Sequence, residues 1–205
     1  MSVTASKKDN ITYSSLLLGL AALAAAALLL IVGAATETTI KTNNRMDQLE
    51  GFNQVIASDS YANDLITDVT HIQLDSNSYA VHRAMDNNGK PVGWAIVTHA
   101  QGYAGPIKLL IGVDTSNTIL GVRVLSHSET PGLGDKIELA KAEWILSFDQ
   151  QSLSTLTKTQ WAVKKDGGSF DQFTGATITP RAIVHQVHTV LTLISQGQLV
   201  ERENE

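Results

Sequence analysis

An uninterrupted apolar segment near the N-terminus constrains the fold of this chain more than any other feature. No residue from Asn10 to Thr36 is charged, and the residues from Leu16 to Ala35 are all Leu, Ala, Gly, Ile or Val. A helix of about 20 apolar residues spans the hydrocarbon core of a bilayer. We therefore predict a transmembrane anchor at residues 11–36 in a lipid bilayer, preceded by a short N-terminal segment at residues 1–10.

The charges that flank this segment predict its orientation. Lys7 and Lys8 precede it, and basic residues favour the cytoplasmic side of a membrane. We therefore expect the N-terminus in the cytoplasm and the rest of the chain outside. Lys41 and Arg45 follow the segment and reduce this asymmetry.

Two other interpretations of the segment stay open. Gly33 and Ala35 have the spacing of a signal-peptide cleavage site, although the apolar regions of signal peptides usually run about 7 to 15 residues. A buried helix of a soluble domain is disfavoured because the stretch is apolar on every face. We favour an uncleaved anchor.

The residues after the anchor predict a linker followed by antiparallel strands. Residues 37–60 combine a polar exit with a short amphipathic helix, in which apolar residues recur at helical spacing: Met46, Leu49, Phe52 and Ile56. A short strand is expected at His71–Leu74. Two hairpins follow, each around a turn-rich link, with strands at Tyr79–Met85, Val92–His99, Ile107–Val113 and Ile119–Leu125.

Two helices are predicted after the strands. The first runs from about Lys136 to Phe148 and has an apolar face. The second starts where Thr179 is a suitable N-cap and Pro180 fits the first helical position, and it ends near Ser195. Its apolar residues recur at spacings of three and four, at Ile183, Val187, Val190, Leu191 and Ile194.

Together these elements predict an α+β fold. An antiparallel sheet with packed helices would follow one N-terminal transmembrane helix. The predicted domain occupies residues 61–197, and an acidic tail occupies residues 198–205.

Composition excludes several classes of function. The net charge is -5 and no run of Lys and Arg is present, so no nucleic acid is expected as a partner. The chain has no cysteine, which excludes disulfides and metal or iron–sulfur centres held by Cys. His185 and His188 lie three residues apart without a convincing third ligand, so we predict no metal site.

A hydroxyl-rich loop directly before the second helix is the main candidate for chemistry. Asp171 and Thr174 precede Gly175 and Ala176, and Thr177 then lies beside the start of the helix. Helix N-termini favour phosphate groups, and the two small residues allow a bulky partner to approach. An anionic ligand is plausible here. The alternative is an ordinary polar turn before a capped helix.

Two further loops are candidates for ligand contact. Residues 126–135 connect a strand to a helix and contain the sequence His-Ser-Glu-Thr-Pro-Gly-Leu-Gly, which could present polar groups to a ligand or serve as a connector. Residues 102–106 form a Gly-containing link between the hairpins, and on sequence grounds we favour a simple turn there.

Two of these loops, residues 171–177 and residues 126–135, resemble motifs of one known family. Asp171, Thr174, Gly175, Ala176 and Thr177 fit the pattern Asp-x-x-(Ser/Thr)-Gly-Ala-Thr, with Thr174 where serine is common. This pattern resembles the flavinylation motif of the FMN-binding subunits of Rnf-type electron transport complexes and of the sodium-pumping NADH:quinone reductase. The resemblance extends over residues 11 to about 196, and the length is closer to that of the Rnf G-type subunit.

The resemblance implies a function, a cofactor and partners. It implies FMN attached as a phosphoester to Thr177 by a flavin transferase that uses FAD, with Asp171 in transferase recognition. The chain would be an electron carrier and one subunit of an ion-translocating oxidoreductase, beside other membrane and peripheral subunits. The complex would couple electron transfer between ferredoxin or NAD(H) and other carriers to ion transport. The domain would lie on the periplasmic side of a bacterial inner membrane.

The resemblance also implies contacts from the 126–135 loop. We expect Glu129 to Leu133 to approach the flavin ring, with Thr130 as a polar contact and Leu133 covering an apolar face. The expected cofactor-binding residues, besides those of the motif, are His127, Glu129, Thr130, Gly132 and Leu133. Two alternatives remain, a flavoprotein like the C-type subunit of the quinone reductase and an anchored binding module without a cofactor.

Overall fold

The computed structural model describes residues 3–74 and 76–200, and these form two long helices, α1 (Val3–Asn53) and α2 (Ile178–Ser195), and a five-stranded sheet. The chain divides into two compact units, the first ending at Met46 and the second starting at Asp47. Part of the predicted acidic tail, residues 201–205, lies outside the described residues, as do residues 1 and 2 of the predicted N-terminal segment. The strands are β1 (Val69–Leu74), β2 (Asn77–Met85), β3 (Pro91–Gln101), β4 (Pro106–Asp114) and β5 (Ile119–Ser126).

Helix α1 contains the predicted anchor. Residues Thr12–Glu37 are long and apolar enough to cross a membrane, and none of this stretch is buried within the protein. The interpretation as a buried helix of a soluble domain is therefore wrong. The predicted amphipathic helix is helical from Met46 to Asn53, but it is the end of α1 rather than a separate helix after a polar exit. No proline interrupts residues 37–53, so nothing in the backbone forces the helix to end earlier.

The second unit is built on an antiparallel meander in the order β1-β2-β3-β4-β5. Both predicted hairpins are confirmed, and so is the short first strand. An aspartate stabilises each hairpin turn. The Asp86 carboxylate accepts hydrogen bonds from the backbone N–H groups of Asn88 and Lys90, and the Asp114 carboxylate accepts those of Ser116 and Thr118. The antiparallel α+β fold class is confirmed.

Successive side chains along each strand point to opposite faces of the sheet, and both faces are covered by packed side chains. Helix α2 packs on one face, where Gln186 donates a hydrogen bond to Thr98 of β3 at 3.0 Å. The main core lies on this side and includes Ile96, Ile107, Leu109, Ile111, Ile183, Val187 and Leu191. A smaller core lies on the other side and contains Phe52, Val55, Ile56, Leu65, Ala84, Ala95 and Leu110.

The chain that follows α1 crosses this second face at two glycines. A Cβ built on Gly112 would overlap the carbonyl group of Val55, lying 2.9 Å from its carbonyl carbon. A Cβ on Gly121 would lie 3.3 Å from the Gln54 carbonyl oxygen. The two glycines therefore allow the backbone of residues 54–55 to pack directly on β4 and β5.

The predicted helix from Lys136 to Phe148 is wrong. The segment instead forms two short 3-10 helices, Asp135–Ile137 and Glu143–Phe148, separated by extended backbone at Glu138 and Ala142. The apolar residues Ile137, Ile145 and Phe148 are buried as the pattern required. Two short turns bury them against the sheet without a continuous helix, since tertiary packing outweighs a weak helical period.

Candidate functional site

The site begins with the turn that leads into α2. Gly175 has a φ of +84°, a conformation that glycine adopts without strain. The Ala176 N–H donates to the Phe173 carbonyl at 3.2 Å and closes a tight turn. Thr174 and Gly175 are exposed at its tip, while Ala176 and Thr177 are half-buried. The turn therefore presents small residues and hydroxyls at one end of the helix.

Thr177 occupies the N-cap position of α2, two residues earlier than predicted. Its side chain makes no capping hydrogen bond to the helix. The first backbone N–H groups of an α-helix lack partners within the helix, and the helix dipole favours negative charge at this end. The prediction that Thr179 is the N-cap is wrong. Thr179 lies inside the first turn, and Pro180 follows it where its missing N–H is tolerated.

The side chain of Thr179 bonds to a buried carboxylate instead of capping the helix. Its hydroxyl donates a short hydrogen bond to Oε2 of Glu129, and both side chains are buried. The other carboxylate oxygen of Glu129 accepts the backbone N–H of Ala104 at 3.0 Å. Glu129 therefore joins three segments, namely its own loop, the 102–105 loop and the start of α2.

Two glycines make room for this carboxylate. A Cβ on Gly134 would lie 2.9 Å from both Cβ and Oε2 of Glu129. A Cβ on Gly102 would overlap Oε1 of Glu129 and lie 2.7 Å from Cδ1 of Ile107. An alanine at either position would displace Glu129, which explains why the carboxylate is flanked by residues without side chains.

These segments surround an open cavity of about 360 Å³. Six of the predicted site residues line it together: Glu129, Thr130, Leu133, Gly175, Ala176 and Thr177. The lining also includes Tyr103, Gly134, Ile178 and Thr179, which the sequence analysis did not assign to the site. The cavity combines apolar walls with hydroxyl groups and a carboxylate, as small-molecule sites commonly do.

His127 and Gly132 do not line the cavity. Nδ1 of His127 accepts the backbone N–H of Glu129 at 3.0 Å, so the neutral ring carries its proton on Nε2 and donates it to Glu138 at 2.8 Å. His127 thus stabilises the 126–135 loop from outside the cavity. Gly132 has a φ of +77° in the turn in which the N–H groups of Leu133 and Gly134 bond to the Thr130 carbonyl.

Asp171 and Thr174 also lie outside the cavity lining. The Asp171 carboxylate pairs with Lys164 at 2.7 Å, and both side chains are more than half exposed. The indole N–H of Trp144 donates to the Asp171 carbonyl at 2.8 Å. Asp171 is therefore accessible to another protein, while its backbone is held by Trp144.

A layer of aromatic rings supports the turn from below. Trp144 packs edge-on against Phe173 and Phe148, with ring centroids 5.2 and 5.4 Å apart. Phe148 in turn stacks on Phe170 at 4.6 Å. Such ring pairs add to the stability of the core and fix the position of the turn relative to the sheet.

The two histidines of α2 have separate surroundings. His188 lies against Trp161, with ring centroids 5.6 Å apart. Burial is the main cause that lowers the pKa of His188, and His185 adds to the effect. In the part of the chain that the structure describes, no group of three or more His, Cys, Asp or Glu could hold a metal ion.

Comparisons with known proteins match both parts of the chain. Residues 1–55 match the family model described as the RnfG N-terminal region, and residues 102–192 match the model described as the FMN-binding domain. The chain is also similar to the crystal structure of the C subunit of Na(+)-translocating NADH-quinone reductase from Parabacteroides distasonis, with 25% identity and a TM-score of 0.46. That match covers 62% of this chain and 65% of the other.

Curated relatives match nearly the full chain. The G subunit of the ion-translocating oxidoreductase complex of Shewanella loihica is 42% identical over 93% of this chain and 92% of its own length. The protein of the same name from Escherichia coli K12 is 43% identical over 88% of this chain and 87% of its own. The chain therefore belongs to the family of G subunits of ion-translocating oxidoreductase complexes.

Proposed function

We propose that this chain is a membrane-anchored electron carrier whose FMN is attached through its phosphate to Oγ1 of Thr177. The observation that carries the proposal is the position of that hydroxyl. It lies at the first turn of an 18-residue helix, is not used for capping, and borders a cavity of about 360 Å³. The match of residues 102–192 to the FMN-binding domain supports the choice of cofactor.

The residues present fit a phosphoester at this position. The positive end of α2 stabilises the negative charge of a phosphate, and Gly175, which has no side chain, lines the same cavity as Thr177. With FAD as donor, the bond between Oγ1 and the flavin-side phosphorus forms while the pyrophosphate bond breaks. AMP leaves and the hydroxyl proton passes to solvent. A separate flavin transferase carries out this step, and Asp171, exposed next to the turn, contributes to its recognition.

The rest of the site would hold and cover the ring. When bound, FMN supplies the one- and two-electron chemistry, and the protein supplies position and surroundings. Leu133 provides an apolar surface beside Gly175, where an added Cβ would lie 3.4 Å from its Cδ2. Thr130 provides a hydroxyl at the cavity wall. Glu129 holds the surrounding segments in register through its two hydrogen bonds.

The proposed location follows from α1. Residues Thr12–Glu37 would cross a bacterial inner membrane once, with the N-terminus in the cytoplasm and the flavin domain in the periplasm. The chain would work beside other membrane and peripheral subunits of an Rnf-like complex, which would couple electron transfer between ferredoxin or NAD(H) and other carriers to ion transport. With one candidate span among its described residues, this subunit would relay electrons rather than contain the ion path.

Two rival functions make different predictions. A flavoprotein like the C-type subunit of the quinone reductase would carry the same covalent flavin but would copurify with the other subunits of that complex. An anchored binding module would carry no flavin, and Thr177 would serve only as a helix start.

A direct test uses the full chain coexpressed with the flavin transferase. We expect flavin fluorescence that stays with the protein band on denaturing gels, and an intact mass raised by FMN less one water. Thr177→Val should lose both signals, while the control variant Thr115→Val, in the exposed turn between β4 and β5, should keep them. A dark wild-type band would contradict the proposal, and so would full labelling of Thr177→Val.

A further inference from the structure

The cavity has an exposed apolar rim. Tyr103 is 72% exposed, Leu133 44% and Ile178 47%, and all three line the cavity. Most other large apolar side chains of residues 47–200 are buried in the two cores. A cluster of exposed apolar side chains around one cavity indicates a surface that becomes covered when the protein is in use.

Tyr103 is exposed on a loop with little freedom. The N–H of Gly102 donates to the Gly105 carbonyl at 2.9 Å and closes the loop at its base. Gly105 has a φ of +146°, and the neighbouring Ala104 N–H is held by the buried Glu129 carboxylate at 3.0 Å. These bonds hold the backbone on both sides of Tyr103, so its side chain extends from a fixed point at the rim of the cavity.

The same carboxylate connects this loop to the attachment position. Glu129 bonds to Ala104 through Oε1 and to Thr179 through Oε2. Thr179 lies two residues after Thr177 in the first turn of α2. Two hydrogen bonds to one buried side chain therefore connect the backbone of the Tyr103 loop to the first turn of α2, beside the Thr177 hydroxyl.

We propose that Tyr103 is the residue that stacks on the isoalloxazine ring of the tethered flavin. This inference rests on the proposed function. The flat aromatic ring of a flavin tethered through its phosphate at Thr177 would gain from a flat partner at the cavity, and Tyr103 is the aromatic residue among the lining residues. Aromatic rings gain from offset stacking, and the phenol is an electron donor next to an electron-poor ring. Glu129 acts here as a positioning residue, because it holds the Tyr103 loop.

The test compares three forms of the full chain, each flavinylated by the transferase: wild type, Tyr103→Phe and Tyr103→Ala. Two readouts are taken on the attached flavin, its fluorescence lifetime and its quenching by iodide. In the wild type the phenol quenches the excited flavin by electron transfer. Tyr103→Phe keeps the stack but not the donor, so the lifetime should lengthen while iodide access stays unchanged.

Tyr103→Ala removes the stack as well. The ratio of open to stacked flavin should rise about five-fold, which iodide quenching reports. Tyr61→Phe is the matched control, because Tyr61 packs against the core on the opposite face of the sheet and its hydroxyl bonds to Asn53. That variant should match the wild type in both readouts.

The outcomes separate the two proposals. If flavin is attached at Thr177 and neither Tyr103 variant changes lifetime or iodide access, the stacking role is wrong and the attachment site stands. If the wild type carries no covalent flavin, the proposed function fails and the stacking role fails with it. Should Tyr103→Ala take up too little flavin to measure, the lifetime of Tyr103→Phe decides, and an unchanged lifetime overturns the role.

Discussion

Thr177 and Thr179 are the same residue type in the same helical turn, and the structure predicts opposite effects for the same substitution. The Thr179 hydroxyl donates to the buried carboxylate of Glu129. Thr179→Val keeps the shape but leaves a charged acceptor short of a partner, and a hydrogen bond to a charged group contributes about 1.5 to 3 kcal/mol. We therefore expect a loss of about 2 kcal/mol. For a domain of this size, that corresponds to a melting temperature lowered by about 4 to 8 °C.

Thr177→Val should leave the stability nearly unchanged but abolish flavin attachment. The Thr177 hydroxyl makes no capping bond and its side chain is half-buried, so the change in stability should stay within about 0.5 kcal/mol. The same variant should lose covalent flavin completely. Thr179→Val should retain it, because the attachment hydroxyl is intact.

The assay pairs thermal unfolding of both full-length variants in detergent, without flavin, with intact mass after coexpression with the transferase. Unfolding without flavin isolates the hydrogen bond from any stabilisation by the cofactor. The reasoning is refuted if Thr177→Val destabilises the protein as much as Thr179→Val, since Thr177 would then be the structural cap. It is also refuted if Thr179→Val is as stable as the wild type.

Three further predictions concern the packing on the second face of the sheet and the turn before α2. Gly112→Ala would force the Val55 carbonyl away from β4, and overpacking of this kind costs about 1 to 3 kcal/mol in unfolding free energy, measurable by denaturant titration. Burial lowers the pKa of His82 below the ordinary 6.5. The contribution of the neutral imidazole to stability should therefore be complete above pH 6.5 and be lost as pH falls below it, and His82→Gln should remove this part of the pH dependence in pH-resolved melting. Trp144→Phe removes the hydrogen bond to the Asp171 carbonyl, which should slow flavin attachment in a timed transferase assay while lowering stability by only about 1 kcal/mol.

Each of these has a control or a contradicting result. Gly51→Ala, where the Cβ meets only contacts of 3.8 Å or more, should be neutral or stabilising, unlike Gly112→Ala. A pH profile of His82→Gln that overlays the wild type would show that the imidazole is not responsible. Trp161→Phe keeps the Asp171 bond, so attachment as slow as in Trp144→Phe would contradict a role for that bond.

The parts of the fold predicted well were those set by local chemistry. The turns at Asp86 and Asp114 depend on side-chain bonds to N–H groups within four residues, so the hairpins could be read from the sequence. The fold around Ile137 and Phe148 could not, because a helix and two short turns bury the same residues. The continuation of α1 through residues 37–45 was missed because their polar composition indicated an exit from the anchor, whereas the apolar spacing from Met46 onward did indicate a helix.

In the site, too, the residues of a local motif were predicted and the features set by distant contacts were not. Thr177 and its neighbours form a contiguous motif, so they could be found by resemblance. The N-cap was misplaced by two residues because Thr179 bonds to Glu129, fifty residues away in sequence. The place of Tyr103 was missed for the same reason, since its loop is held by Glu129 through Ala104 across twenty-five positions. The sequence pattern of either segment alone does not reveal such long-range bonds.

The most direct measurement of the central claim is peptide mapping by mass spectrometry of the full chain isolated from the membranes of its native cells. The account predicts that the peptide containing Thr177 carries the mass of FMN less one water, and that fragmentation assigns it to Oγ1 of Thr177. A bare Thr177, or a flavin found on Thr174 or Thr179 instead, would contradict it.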